Sequence, residues 1–132
     1  MATQFPVETG QVLREAREAD LPTLDMERQS LDTDHVGVGV LIATHWRFPP
    51  AVIAAIEQHH APATGTVPSI ADVVHAADAL AHALDPSSSE EEMVPPVDLS
   101  AWVRLDLTVT QCLLILESTA AGVAGLCEAL SL

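Results

Sequence analysis

Apolar residues recur at helical spacing almost from end to end of the chain, and that pattern predicts an all-α protein. Alternation of the strand kind is confined to Val36-Gly-Val-Gly-Val40, which its glycines break. A first helix is expected from about Glu8 to Ala19, and a second, short one after Pro22 with Leu24, Met26 and Glu27. Asp32 or Thr33 can cap a third, running through Val36, Val40 and Ala43 to Trp46. It is apolar around most of its circumference, which predicts a buried central helix. Pro49-Pro50 ends it and starts a fourth, whose Ile53, Ile56 and His60 fall at i, i+3 and i+7.

A loop rich in Pro, Gly and Thr covers Ala61 to Val67, and Ser69 with Asp72 forms a capping box at the head of a fifth helix. That helix aligns Ile70, Val73, Val74, Ala77, Leu80, Ala81 and Leu84 as its expected core stripe. The segment 85–97, with Ser87-Ser-Ser-Glu-Glu-Glu92 and Pro95-Pro96, reads as an exposed, flexible acidic loop. Thr108 and Gln111 box the start of a last helix, which keeps phase from Val109 through Leu130 while Gly122 and Gly125 offer places to bend. The expectation is one domain over residues 1–132, a compact bundle of about six helices without internal repeats.

Composition narrows the function classes. Nineteen Asp and Glu stand against five Arg and no Lys, a formal net charge of −14. Such a chain repels phosphate backbones and anionic surfaces, so neither nucleic acid nor membrane is an expected partner. The densest apolar stretch, Val36 to Ala43, contains two glycines and is far shorter than the roughly 18 residues of a membrane span. Cys112 and Cys127 sit at apolar helical positions and read as buried thiols. The first residues lack the basic and apolar regions of a secretory signal, so the expected location is cytoplasmic.

Six histidines are the candidate chemistry. His35 opens the third helix, and Gly39 one turn on leaves room for another group to approach that face. His59 and His60 are neighbours in sequence, about 100° apart around a helix, so both face one site only if the helix end frays. Asp78 is bordered by His75 and His82 at i−3 and i+4. Imidazole and carboxylate together suit a divalent transition metal. From the residues alone, histidines in caps, on the surface or hydrogen-bonded in the core are the commoner reading. Trp46 and Trp102 read as packing residues rather than ligand platforms.

A linked set of residues then resembles one family. Glu27-x3-Leu31-Asp-Thr-Asp-His35-x3-Gly39, Trp46-x2-Pro49, Ala54-Ala-Ile56-x2-His59-His60 and Val74-His75-Ala-Ala-Asp78 follow in the order and spacing of the HDOD family. HDOD is a divergent branch of the HD superfamily of metal-dependent phosphohydrolases. The resemblance runs from about Val7 to the C-terminus and looks like the C-terminal part of an HDOD domain, without its N-terminal helices.

By that resemblance, His35, His59, His60 and Asp78 match metal ligands of catalytic relatives. The family-naming His-Asp pair is absent, since Asp34-His35 has the reverse order, and Ala61-Pro62 replaces any Gly-Tyr-Pro signature. No catalytic residue is therefore assigned. The expected cofactor is none or one divalent ion (Mn, Fe or Zn), because a two-ion centre needs the missing aspartate and phosphate needs cationic clamps that are scarce here. The resemblance implies a non-catalytic signalling or regulatory module of bacterial signal transduction, acting through a protein partner or self-association. The alternatives are a residual metal-dependent phosphohydrolase, and a fragment or subunit completed by another chain.

Overall fold

The computed structural model describes residues 6–84 and 95–130. Those residues form helices joined by turns, with no strand among them: α1 (Pro6–Ala19), α2 (Thr23–Leu31), α3 (His35–His45), α4 (Pro50–Gln58), α5 (Ile70–Leu84), α6 (Leu99–Leu105) and α7 (Val109–Leu130). The all-α reading holds, with seven described helices rather than about six. The added one, α6, spans just under two turns, too short for a periodic stripe. Its signal is the cap: Asp98 accepts from the Ser100 and Ala101 amides at 2.7 and 3.2 Å. Of the acidic loop expected over 85–97, residues 85–94 lie outside the described residues.

Both expected capping boxes form. Ser69 N–H donates to Asp72 Oδ2 at 2.7 Å while Asp72 N–H donates to Ser69 Oγ, and Thr108 pairs with Gln111 in the same reciprocal way. The start of α3 differs. Asp32 adopts a left-handed φ of 53° and closes α2, so the cap of α3 is Asp34, which accepts from Gly37 N–H at 2.7 Å. Asp20 and Asp106 adopt the same left-handed conformation after α1 and α6. Short polar side chains tolerate that region, and here aspartate stands at helix ends where glycine is the usual stop signal.

Packing mostly joins neighbours in sequence: α1 on α2, α3 on α4, α4 on α5, and α5 on both α6 and α7. Val12, Ala16 and Met26, with Leu21 and Leu31 beside them, seal the α1–α2 hairpin. Farther along, the buried apolar residues are small: Ala43, Ala55, Ala71, Ala76, Ala79, Ala101 and Cys112. Small side chains let helix backbones approach closely, and Gly39 carries this furthest. A Cβ there would stand 2.9 Å from Ile56 Cγ2, so α4 is what approaches the open face of α3.

Four expectations about burial are corrected. Helix α3 is not a buried core helix, since Ala43 alone in it is buried and Leu41 is 70% exposed. Its packing lies mainly on α4, with Leu41 and Ile42 left exposed. Helix α5 buries Ala71, Asp72, His75, Ala76 and Ala79, leaving Ile70 and Val73 more than half exposed. The narrow alanine side admits α4 and α6 more closely than the bulky stripe could. The larger residues Val73, Leu80 and Leu84 instead line an apolar groove of about 430 Å³ shared with Ile115 and Leu116 of α7. Trp46 is exposed and tilts against Phe48, and Cys127 is exposed while Cys112 is buried.

A buried ion pair pins α6 to α5. Arg104 donates from Nε (3.2 Å) and from Nη2 to Asp72 Oδ1, while Ser69 N–H and Oγ–H serve Oδ2. The guanidinium, above all, holds the Asp72 carboxyl down at about 2 against the opposing effect of burial. Helix α7 contrasts with this. Cys112 is its buried residue, and every position from Glu117 to Leu130 is exposed. By length and composition alone α7 could cross a membrane. Glu117 near its middle would oppose that by about 2.5–3.5 kcal/mol if charged at the bilayer centre.

Candidate metal centre

Three helices deliver the site. Glu27 lies on the buried side of α2 next to Met26, His35 is the first residue of α3, and α4 stops at Gln58. The early stop matters. His59 is already the C-cap of α4, so the two adjacent histidines escape the 100° separation of helical phase. Ring centroids lie 5.5 Å apart for His35 and His59, 4.8 Å for His35 and His60, and 4.1 Å for His59 and His60. One ring nitrogen from each of the three falls within 4.8 Å of the others.

Hydrogen bonds dictate which nitrogens are open. Glu27 Oε2 accepts from both the backbone N–H of His35 (2.9 Å) and its Nδ1 (2.6 Å). A carboxylate offers no proton, so His35 carries its proton on Nδ1 and turns the Nε2 lone pair toward His60 Nε2, 2.6 Å away. His60 donates across that contact. His59 Nδ1 faces the Ile56 carbonyl at 2.8 Å and must likewise be protonated, leaving its Nε2 as an acceptor. Below the cluster, buried His75 donates from Nδ1 to the His59 carbonyl (2.6 Å) and accepts the Asp98 amide at Nε2 (2.8 Å). It ties the end of α4 to the start of α6.

The electrostatics favour a neutral ring at His60. Burial first, and then the neighbouring His59 and His35, push the His60 imidazole down to about 4. Burial pushes Glu27 up, but the bonds from His35 outweigh it and leave the carboxyl below its ordinary value. Deprotonated imidazoles aimed at one another are a donor set for Mn, Fe or Zn, and a carboxylate behind a ligating histidine is the usual way of fixing its tautomer. The 2.6 Å between His35 and His60 is a hydrogen-bond spacing. Tetrahedral Zn–N bonds separate nitrogens by roughly 3.4 Å, so those two rings would open by somewhat under an ångström around an ion. The residues fit the group.

Of the four residues singled out in the sequence, the structure gathers His35, His59 and His60. Asp78, on α5, acts electrostatically on His60 but stands outside the group, with its Oδ1 3.5 Å from His82 Nδ1. Two supporting roles went unread in the sequence. Glu27 belongs to the recurring motif, yet an acidic residue on a short helix gives no sign of being buried. His75 likewise stood in the recurring Val74-His75-Ala-Ala-Asp78 motif, which gave no sign of its bonds to α4 and α6. In comparison with known proteins, residues 1–62 match the model of the HDOD domain, the N-terminal part of the chain. That match takes in Glu27, His35, Gly39, His59 and His60 and ends before Asp78. No curated protein and no solved structure matches the chain.

Proposed function

Because the chain belongs to the HDOD family, related to the HD superfamily, we propose that it is a non-catalytic regulatory module that acts in signalling through protein contacts. The observation that carries this reading is the donor set: among the described residues, three histidines converge without a carboxylate in the group. Hydrolysis through a two-ion centre calls for a bridging carboxylate and for cations on the phosphate. Glu27 is spent on His35, while Arg28 pairs with Asp34 and Arg104 with Asp72. The cluster would instead hold one divalent ion, Mn, Fe or Zn, with His35, His59 and His60, and with Asp78 as the nearby acid. When bound, such an ion supplies Lewis acidity and a bound water of lowered pKa. What the protein's own residues do is join α2, α3 and α4 at one point. Bare apolar side chains on α3 and α7, Leu41, Trp46, Leu126 and Leu130 among them, support a life in contact with another protein. A cytoplasmic setting goes with this reading.

The test is hydrolysis of bis-p-nitrophenyl phosphate, nucleotides and cyclic dinucleotides with added Mn, Fe or Zn. The expected rate equals that of the metal alone. Turnover abolished by His59→Ala would overturn the proposal in favour of a residual phosphohydrolase using His35, His59, His60 and Asp78. The exposure of α7 favours one further possibility, a subunit completed by another chain. Light scattering that finds a monomer with cooperative unfolding would count against it.

A further inference from the structure

We infer that Glu27 is the positioning residue of the histidine cluster, setting the tautomer of His35 so that its Nε2 lone pair faces His60. Three observations carry this. Glu27 is 5% exposed although it is acidic, which makes its desolvation worthwhile only with a partner. Both of its bonds to His35, to the backbone N–H and to Nδ1, end on one oxygen, Oε2. That pairing locks the start of α3 and the ring plane together, because the side chain is gripped at the same point as its own backbone. The other nitrogen of the same ring then meets His60. An imidazole free to place its proton on Nε2 would meet His60 as a donor in place of an acceptor.

Glu27 therefore acts from α2 on a site whose nitrogens all come from α3 and from the end of α4. The seating of the α1–α2 hairpin and the openness of the cluster become one property. Arg28, the next residue, provides the internal control: its Nε meets Asp34 Oδ2 at 2.6 Å and ties the same two helices without touching His35.

The role in tautomer selection stands on geometry alone; its consequence for an ion rests on the function proposed above. The experiment uses the full metal-free chain and reads the histidine ring nitrogens by two-bond 15N–1H NMR, followed by calorimetric titration with zinc. In the parent protein His35 is expected in the Nδ1–H form. Glu27→Met keeps side-chain volume but removes the acceptor, and is expected to convert His35 wholly or partly to Nε2–H and to weaken zinc binding about 10–100-fold. Glu27→Gln retains one carbonyl oxygen able to take both bonds, and is expected to rescue the tautomer and most of the affinity. Arg28→Ala should change neither reading. An Nε2–H form of His35 in the parent chain, or an unaltered tautomer in folded Glu27→Met, overturns the inference. If Glu27→Met fails to fold, Glu27→Leu removes the acceptor in the same way, and an unaltered Nδ1–H form of His35 there overturns the inference as well. Should the parent bind no zinc while the NMR result comes out as expected, the ion-binding reading fails and the role of Glu27 stands.

Discussion

Among the described residues, a buried ion pair at one junction and a half-buried histidine cluster at another differ in what holds their polar atoms. At the α5–α6 junction, both oxygens of Asp72 are occupied, one by Arg104 and the other by Ser69. Charge is balanced and nothing is left to offer a ligand. At the α2–α3–α4 junction, Glu27 and the Ile56 carbonyl consume one nitrogen each of His35 and His59, and the remaining nitrogens turn toward a common point. Both clusters fasten helices together. In the second, half-buried cluster the Nε2 atoms of His35 and His60 are held by each other, at 2.6 Å, and by no charged partner.

That contrast can be broken most forcefully at Asp72. Asp72→Asn leaves the Arg104 charge uncompensated beside it and should lower stability by about 3–5 kcal/mol in urea titrations, while zinc affinity of the folded fraction stays at the parental value. If affinity falls in step with stability, the two clusters are one unit and the comparison fails.

Acid separates them next. His60 titrates at about 4 in the folded chain against an ordinary 6.5, so between those values the unfolded chain binds the extra proton. The contribution of neutral His60 is thus complete above 6.5 and drains away as pH falls toward 4. The Asp72 carboxyl, lowered from 3.8 to about 2, keeps its contribution until pH drops through that lower window. Chemical denaturation across pH should show two separate declines, and His60→Gln should remove the upper one alone.

Gly39→Ala is a smaller perturbation with opposing parts. Alanine gains about 1 kcal/mol of helix propensity, but its Cβ needs space held by the Ile56 methyl, and overpacking costs about 1–3 kcal/mol. Ile56 is β-branched and held between α3 and α4, so crowding should win by roughly 1 kcal/mol in thermal melts. Arg28→Ala should be smallest, at most about 1 kcal/mol, because the Arg28 side chain is 55% exposed and water screens its pair with Asp34.

Much of the fold was legible because helices announce themselves locally. The apolar rhythm and the Ser69–Asp72 and Thr108–Gln111 boxes locate α1 to α5 and α7 from neighbours a few residues away. Helix α6 escaped because it lasts less than two turns, and the α2–α3 boundary was displaced because Asp32 uses a left-handed conformation. The faces were harder. Periodicity identifies a stripe such as Ile70, Val73 and Leu84, but which side is covered depends on the arrival of α4 and α6 on the alanine side. The same reasoning misjudged α3, whose apolar circumference says only that burial would be favourable. At the site, His35, His59 and His60 stood out through the family resemblance, while their convergence turned on α4 stopping one residue before His59. Glu27 and His75 were opaque because a buried ionisable residue looks like an exposed one until its partner is known.

The central proposal is that His35, His59 and His60 together hold one divalent ion. Calorimetric titration of zinc into the metal-free protein at neutral pH tests it most directly. The account predicts one ion per chain, lost in His35→Ala and His59→Ala and retained in Asp72→Asn. Two ions per chain, or no binding that those histidines affect, would contradict it.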